Sequence, residues 1–97
     1  MFDDVAVFKL VTGEEMLARV ESEDDSSWKL IKPMTLVPSQ QGLALTPGMF
    51  TAQPEKSVLL FKNAVVMKCI PRQEMLNSYI EGTTGIKPIT KPDILLG

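Results

Sequence analysis

The sequence contains no histidine and only one cysteine, and both shortages narrow the chemistry open to the chain. Histidine is the commonest general base and transition-metal ligand near neutral pH. Cys69 alone makes neither an internal disulfide nor a zinc site of the usual kind. Its apolar strand favours a small buried hydrophobe over a nucleophile. Walker-type glycine loops and GxSxG motifs are also missing, so we expect no catalytic site, no metal and no cofactor.

The sequence also lacks a long apolar run and a positively charged N-terminal segment. The 97 residues correspond to one domain. No apolar stretch approaches the ~20 residues that a membrane-spanning helix needs. Residues 1–4 are acidic, where a signal peptide is positive. We therefore expect an intracellular, cytoplasmic protein that does not enter a membrane.

Charge is distributed unevenly along the chain. Residues 1–27 carry eight acids and two bases, whereas residues 28–72 carry six bases and one acid. The net charge of −2 argues against attraction of the whole molecule to nucleic acid. The uneven distribution still allows one basic face, with ordinary solvated charge as the alternative.

Short apolar segments with β-branched residues predict an all-β fold of about five strands. Ala6, Phe8 and Leu10 share one strand face, and Gly13 allows a turn. Pro33 marks a sheet edge, a bulge or a bend, because it lacks an N–H. The predicted strand segments are residues 5–11, 16–21, 28–31 (continuing as 34–37 beyond Pro33), 43–46, 57–61 and 64–70. In the second of these, Met16, Ala18 and Val20 face the core.

Apolar residues return at helical spacing after the last strand, which predicts one short C-terminal helix over residues 72–81. Pro71 lies near its start and Gly82 just past its end, as helix termini prefer. We expect the folded domain to span residues 1–82. Residues 83–97 are expected to form an extended or disordered tail.

Acidic and aromatic residues are the other candidates for a site. The acidic loop of Glu23, Asp24 and Asp25 lacks the glycine and ligand spacing of a dedicated cation loop, and solvated turn residues explain it. The aromatic residues that could stack on bases if exposed are Trp28, Phe61 and Tyr79, with burial in the core as the alternative.

Lys62 and Asn63 join two strongly apolar strands and so lie in a tight connection at the end of the sheet. Asparagine tolerates the left-handed conformation that such turns demand. A lysine beside an amide is a natural pair for a phosphate and a base edge. A plain surface turn is the alternative.

Two short motifs make the chain resemble the Sm/LSm-like family, including its small cyanophage-type members. The first motif is matched by Leu10, Gly13, Met16, Ala18, Val20 and Asp24, with Ala18 where glycine is usual. The second is matched by Phe61-Lys62-Asn63-Ala64-Val65-Val66, with Lys for Arg and Asn for Gly. Members of the family usually begin with a helix, whereas here the predicted helix follows the last strand.

The resemblance implies a small, strongly bent, five-stranded open barrel. It implies a homo-oligomeric ring, with five to seven copies conceivable, built by pairing of edge strands. It also implies binding of single-stranded RNA, or of DNA, near the pore. The implied nucleic-acid-binding residues are Asp24, Lys62, Asn63 and either Ser27 or Trp28, which fall where the family has a base-contacting Asn.

An assembly or protein-interaction module of phage origin, without nucleic-acid binding, is the alternative function. In that case the acidic N-terminal face and the Ile-Leu-Leu tail would dock a phage or host protein. The protein would then act in the cytoplasm of the host cell.

Overall fold

A computed structural model describes residues 4–40, 42–48 and 56–84 of the chain. These residues contain six strands, where about five were expected, and one helix. The elements are β1 (Val5–Leu10), β2 (Glu15–Glu23), β3 (Ser27–Ser39), β4 (Gly42–Pro47), β5 (Val58–Phe61), a 3-10 turn (Lys62–Ala64), β6 (Val65–Cys69) and α1 (Gln73–Thr84). Each predicted strand segment overlaps one of these strands, which confirms a mostly β fold with a short C-terminal helix.

The six strands form one open antiparallel sheet, in which five strands follow the order β4-β3-β2-β1-β6 and β5 pairs with β3 off this path. Strand β3 is 13 residues long and pairs with β2 along one edge. On its other edge, the first part pairs with β5 and the last part with β4. One long strand therefore connects two different pairings.

A bend in β3 separates its two pairings, as the position of Pro33 predicted. Lys32, just before this proline, has φ of 51°, which is the only positive φ of a non-glycine residue in the described part of the chain. The Tyr79 hydroxyl lies 2.8 Å from the carbonyl oxygen of Lys32, and the Lys32 ammonium donates to the carbonyl of Thr83 at 3.0 Å. Helix α1 therefore holds the strained bend in place.

The first hydrophobic core lies on the sheet face that the alternation predicted. Its buried members are Ala6, Phe8, Ala18, Trp28 and Leu30. Partly buried residues from β1, β2, β5 and β6 pack against them: Leu10, Met16, Val20, Val58, Leu60 and Val65. Both predicted inward faces, of β1 and of β2, are thus confirmed.

A second core lies on the opposite face, under helix α1. Val5 and Leu17 alternate with members of the first core along their strands, so they point to the other side of the sheet. Fully buried Tyr79 packs with them. The helix thereby covers a face that would otherwise expose apolar side chains.

Helix α1 ends two residues beyond Gly82, which was predicted to lie outside it. The Thr83 and Thr84 hydroxyls donate to the carbonyls of Tyr79 and Ile80, at 2.8 and 2.6 Å, and close the last turn. These threonines were predicted to begin the tail; the rest of that prediction, residues 85–97, lies outside the described residues. No helix in the described part is long and apolar enough to cross a bilayer.

Two glycines provide a matched test of backbone conformation. Gly13 has φ of 105° in the turn after β1, whereas Gly82 lies within α1 with open space where a Cβ would stand. Gly13→Ala should destabilise the fold by roughly 1–2 kcal/mol, because L side chains disfavour positive φ. Gly82→Ala should stabilise it by up to about 1 kcal/mol. Urea unfolding measures both, and equal effects of the two substitutions would contradict this account.

Candidate nucleic-acid interface

Each of the two sequence motifs contains a turn, and these two turns lie side by side. One is the β2–β3 turn at residues 24–26, and the other is the 3-10 turn Lys62–Ala64. The Lys62 backbone N–H donates to the Ser26 carbonyl at 2.8 Å. Next to this bond, Ser27 and Phe61 are cross-strand partners. Three of the five predicted site residues, Asp24, Ser27 and Trp28, therefore come from the β2–β3 turn and the start of β3, and the second turn adds Lys62 and Asn63.

Asp24 organises its own turn. Its Oδ1 accepts backbone N–H bonds from Ser26 at 2.9 Å and from Ser27 at 2.8 Å. The Ser27 hydroxyl also donates to it, at 3.2 Å, and Ser27 is buried. The backbone bond from Ser26 is the main reason why the pKa of Asp24 lies below its ordinary value. Asp24 and Ser27 thus position the turn.

Lys62 is paired with a carboxylate that the sequence analysis did not assign to the site. Its ammonium lies 2.6 Å from Oε2 of Glu23, the last residue of β2. This hydrogen bond is the largest cause that holds the pKa of Glu23 below its ordinary value. The same ammonium lies 5.1 Å from the ring centroid of Trp28, within cation–π range. An anion that binds Lys62 therefore competes with Glu23.

Trp28 belongs to the core. Only 8% of it is exposed, and its ring packs on Phe8 with centroids 5.0 Å apart. Its buried indole nitrogen has no hydrogen-bond partner among the described residues. Stacking of a base on Trp28 is therefore incompatible with this structure. Trp28 borders the site through the Lys62 ammonium over its ring, and its side chain is a lesser cause of the lowered pKa of Glu23. Tyr79 is fully buried, whereas Phe61 is 55% exposed and remains available for stacking.

Asn63 is exposed in the second turn, and its side chain makes no hydrogen bond within the described ranges. The expectation that it adopts a left-handed conformation is wrong, because its φ is not positive. A right-handed 3-10 turn makes the connection instead, which needs no glycine-like residue.

A shallow cleft of about 400 Å³ opens beside these turns. Its lining consists of Ser22, Glu23, Asp24, Ser27, Lys29, Ser57 and Leu59. Lys29 is exposed and forms no ion pair with any described residue. Lys29 lies two residues after Ser27 on β3, so both side chains are on the same face of the sheet. This alternation is visible in the sequence and could have predicted the position of Lys29.

The charge around the site is mostly negative. Glu21, Glu23, Asp24 and Asp25 are all exposed near the tip of the β2–β3 hairpin. Across the ranges that the structure describes, no three acidic, cysteine or histidine side chains come together as metal ligands would. Comparison with models of known protein families and with curated protein sequences finds no match to the chain.

Proposed function

We propose that the chain is a non-catalytic, Sm-like subunit that assembles into a homo-oligomeric ring and binds single-stranded nucleic acid, RNA in the first place. One observation carries the proposal. Two motifs that are far apart in sequence meet at the hydrogen bond between the Lys62 N–H and the Ser26 carbonyl. The resemblance requires the loops of these motifs to meet at the binding site.

The strand connections support a strongly bent five-stranded barrel. Along the path β5-β3-β2-β1-β6, the two outermost strands are also consecutive in the chain. In a flat sheet, four strand spacings would separate them by about 19 Å. A 3-10 turn of three residues rises only about 6 Å. The sheet must therefore curl, which brings β5 and β6 together around the first core.

The free edges of β5 and β6 support assembly. Among the described residues, each of these strands pairs with one neighbour only. Apolar side chains are more than half exposed on both strands and just after β6: Leu59, Val66, Met67 and Ile70. If β5 of one copy pairs with β6 of the next, both edges are satisfied. Such a head-to-tail contact repeats until it closes a ring, for which five to seven copies are proposed.

The ligand is proposed from the chemistry of the second turn. Lys62 supplies a cation, Asn63 an exposed amide and Phe61 an exposed aromatic ring. A phosphate, a base edge and a base face are their respective partners. Each site is weak, but a ring presents several sites to one strand, which raises the effective concentration.

Fluorescence polarisation of labelled oligo-U and oligo-A tests binding. The wild-type protein should bind at low salt, and its affinity should fall as salt rises, because lysine contacts release counterions. The double variant Lys62→Ala with Asn63→Ala should lose binding. Arg72→Ala removes one positive charge beyond the end of β6 that is opposite to the second turn, where the side chain is 80% exposed, and should bind like the wild type. No binding at low salt, or equal loss in Arg72→Ala, would overturn the proposal.

A protein-binding module is the second candidate, and the internal pairing of Lys62 favours it. With Lys62 neutralised by Glu23, the remaining charge at the hairpin tip is acidic and suits a basic segment of a partner protein. A pull-down with and without nuclease separates the two functions. Partner proteins that stay bound after nuclease treatment, and that no longer bind the variant Glu21→Gln with Asp25→Asn, would support protein binding.

A further inference from the structure

We infer that Glu23 occupies, in the free protein, the position that a phosphate group takes in the complex, so that Glu23 sets the affinity of the site for anions. The inference rests on the proposed function and deepens it. Nucleic-acid binding is then an exchange of one anion for another at the Lys62 ammonium. Glu23 is accordingly a residue that determines affinity, although it never touches the ligand.

The geometry of the contact carries the argument. The Lys62 ammonium and Glu23 Oε2 are 2.6 Å apart, at the short end of charge-assisted hydrogen bonds. The Trp28 ring is buried and lies 5.1 Å from the Lys62 ammonium, and the Lys62 backbone N–H donates to Ser26. Both contacts favour the position of the ammonium beside Glu23. A phosphate that approaches the ammonium from the side of Glu23 therefore competes with this carboxylate.

The exposure of the pair makes the exchange feasible. The Glu23 side chain is 52% exposed and that of Lys62 is 31% exposed. Exposed ion pairs contribute little to stability, because water screens them. A phosphate can therefore displace the carboxylate, which swings into solvent. If Glu23 remained near the bound phosphate, the two anions would repel each other.

Glu23→Gln, with Glu21→Gln as the matched control, tests the inference on nucleic acid. Both variants remove one negative charge from β2, but Glu21 forms no ion pair with the described residues. Glu23→Gln should bind oligo-U roughly twofold to fivefold more tightly per site, a change that corresponds to the free energy of an exposed ion pair. Glu21→Gln should change affinity less. Equal gains in the two variants would overturn the inference and leave only a general charge effect.

A double-mutant cycle shows whether Glu23 acts through Lys62. In a Lys62→Ala background, Glu23→Gln should no longer increase affinity, because the ammonium that it competes for is gone. A full gain in that background would contradict the exchange.

The intrinsic fluorescence of Trp28 provides a readout without nucleic acid. Trp28 is the only tryptophan in the sequence, and the Lys62 ammonium lies over its ring. Titration with inorganic phosphate, against sodium chloride at equal ionic strength, should alter the fluorescence at lower phosphate in Glu23→Gln than in the wild type. Lys62→Ala should give no phosphate response.

The two readouts separate the possible failures. If Glu23→Gln responds at lower phosphate than the wild type and Lys62→Ala does not respond, but no variant binds oligonucleotide, the exchange of anions at Lys62 is supported and nucleic-acid binding is overturned. Oligonucleotide binding with identical phosphate responses in wild type and Glu23→Gln would overturn the exchange and keep the proposed function.

Discussion

Glutamate at both Leu59 and Met67 is expected to convert the assembled protein from a ring into monomers. These side chains are 56% and 66% exposed, on the two strands whose edges are proposed to pair between copies. The double variant places an acid on each side of every interface. Like charges brought together across an interface cost several kcal/mol, and the cost repeats around the ring.

Leu43→Glu is the control for this experiment. Leu43 is 63% exposed, so the substitution makes a similar change of surface. It lies on β4, outside the five-strand path that is proposed to form the ring. Light scattering should find the control assembled and the double variant at the 10.7 kDa mass of one chain. Far-ultraviolet circular dichroism should show that both are folded. Retained assembly of the double variant would contradict the edge pairing.

The second large effect concerns stability and falls on Tyr79. The Tyr79 hydroxyl accepts the Arg19 N–H at 3.2 Å and lies 2.8 and 3.1 Å from the carbonyls of Lys32 and Ile31. Tyr79→Phe removes these hydrogen bonds to part-buried backbone groups and should cost about 1–2 kcal/mol. Tyr79→Ala also empties the second core and should cost about 3–5 kcal/mol. Such a loss is large for a domain whose stability is of order 5–15 kcal/mol.

Urea unfolding followed by Trp28 fluorescence measures both Tyr79 variants. Wild-type stability in Tyr79→Phe would show that the hydroxyl does not hold the β3 bend.

Burial raises the pKa of Tyr79 to about 12, from an ordinary value of 10.0. Because the neutral hydroxyl is favoured in the fold, its contribution to stability is complete below pH 10 and is lost as the pH rises through 12. Tyr79→Phe should lack this alkaline loss.

The first core was predictable because its signal is local. Ala6, Phe8 and Leu10 alternate along one strand, and strand geometry places alternate residues on one face. The second core escaped the sequence analysis although Val5 and Leu17 alternate equally well. Their face needs a cover, and that cover is a helix from the far end of the chain. Only tertiary structure brings it there.

The sequence motifs pointed to two turns that the structure places side by side, but they did not predict the side-chain contacts there. The motif pattern identified Lys62 and Asp24, and the structure joins their turns. The ion pair between Lys62 and Glu23 depends on how two distant turns meet, so no local pattern could predict it. Trp28 illustrates the reverse case. Its sequence position left both base stacking and burial open, and β3 places it in the first core. Nucleic-acid binding stays a prediction.

Native mass spectrometry of the protein purified without nuclease tests the central claim most directly. The account predicts one closed assembly, with a mass five to seven times that of the 10.7 kDa chain. It also predicts additional mass from bound nucleic acid that nuclease or high salt removes. A single species at the mass of one chain, at micromolar concentration and low salt, would contradict it.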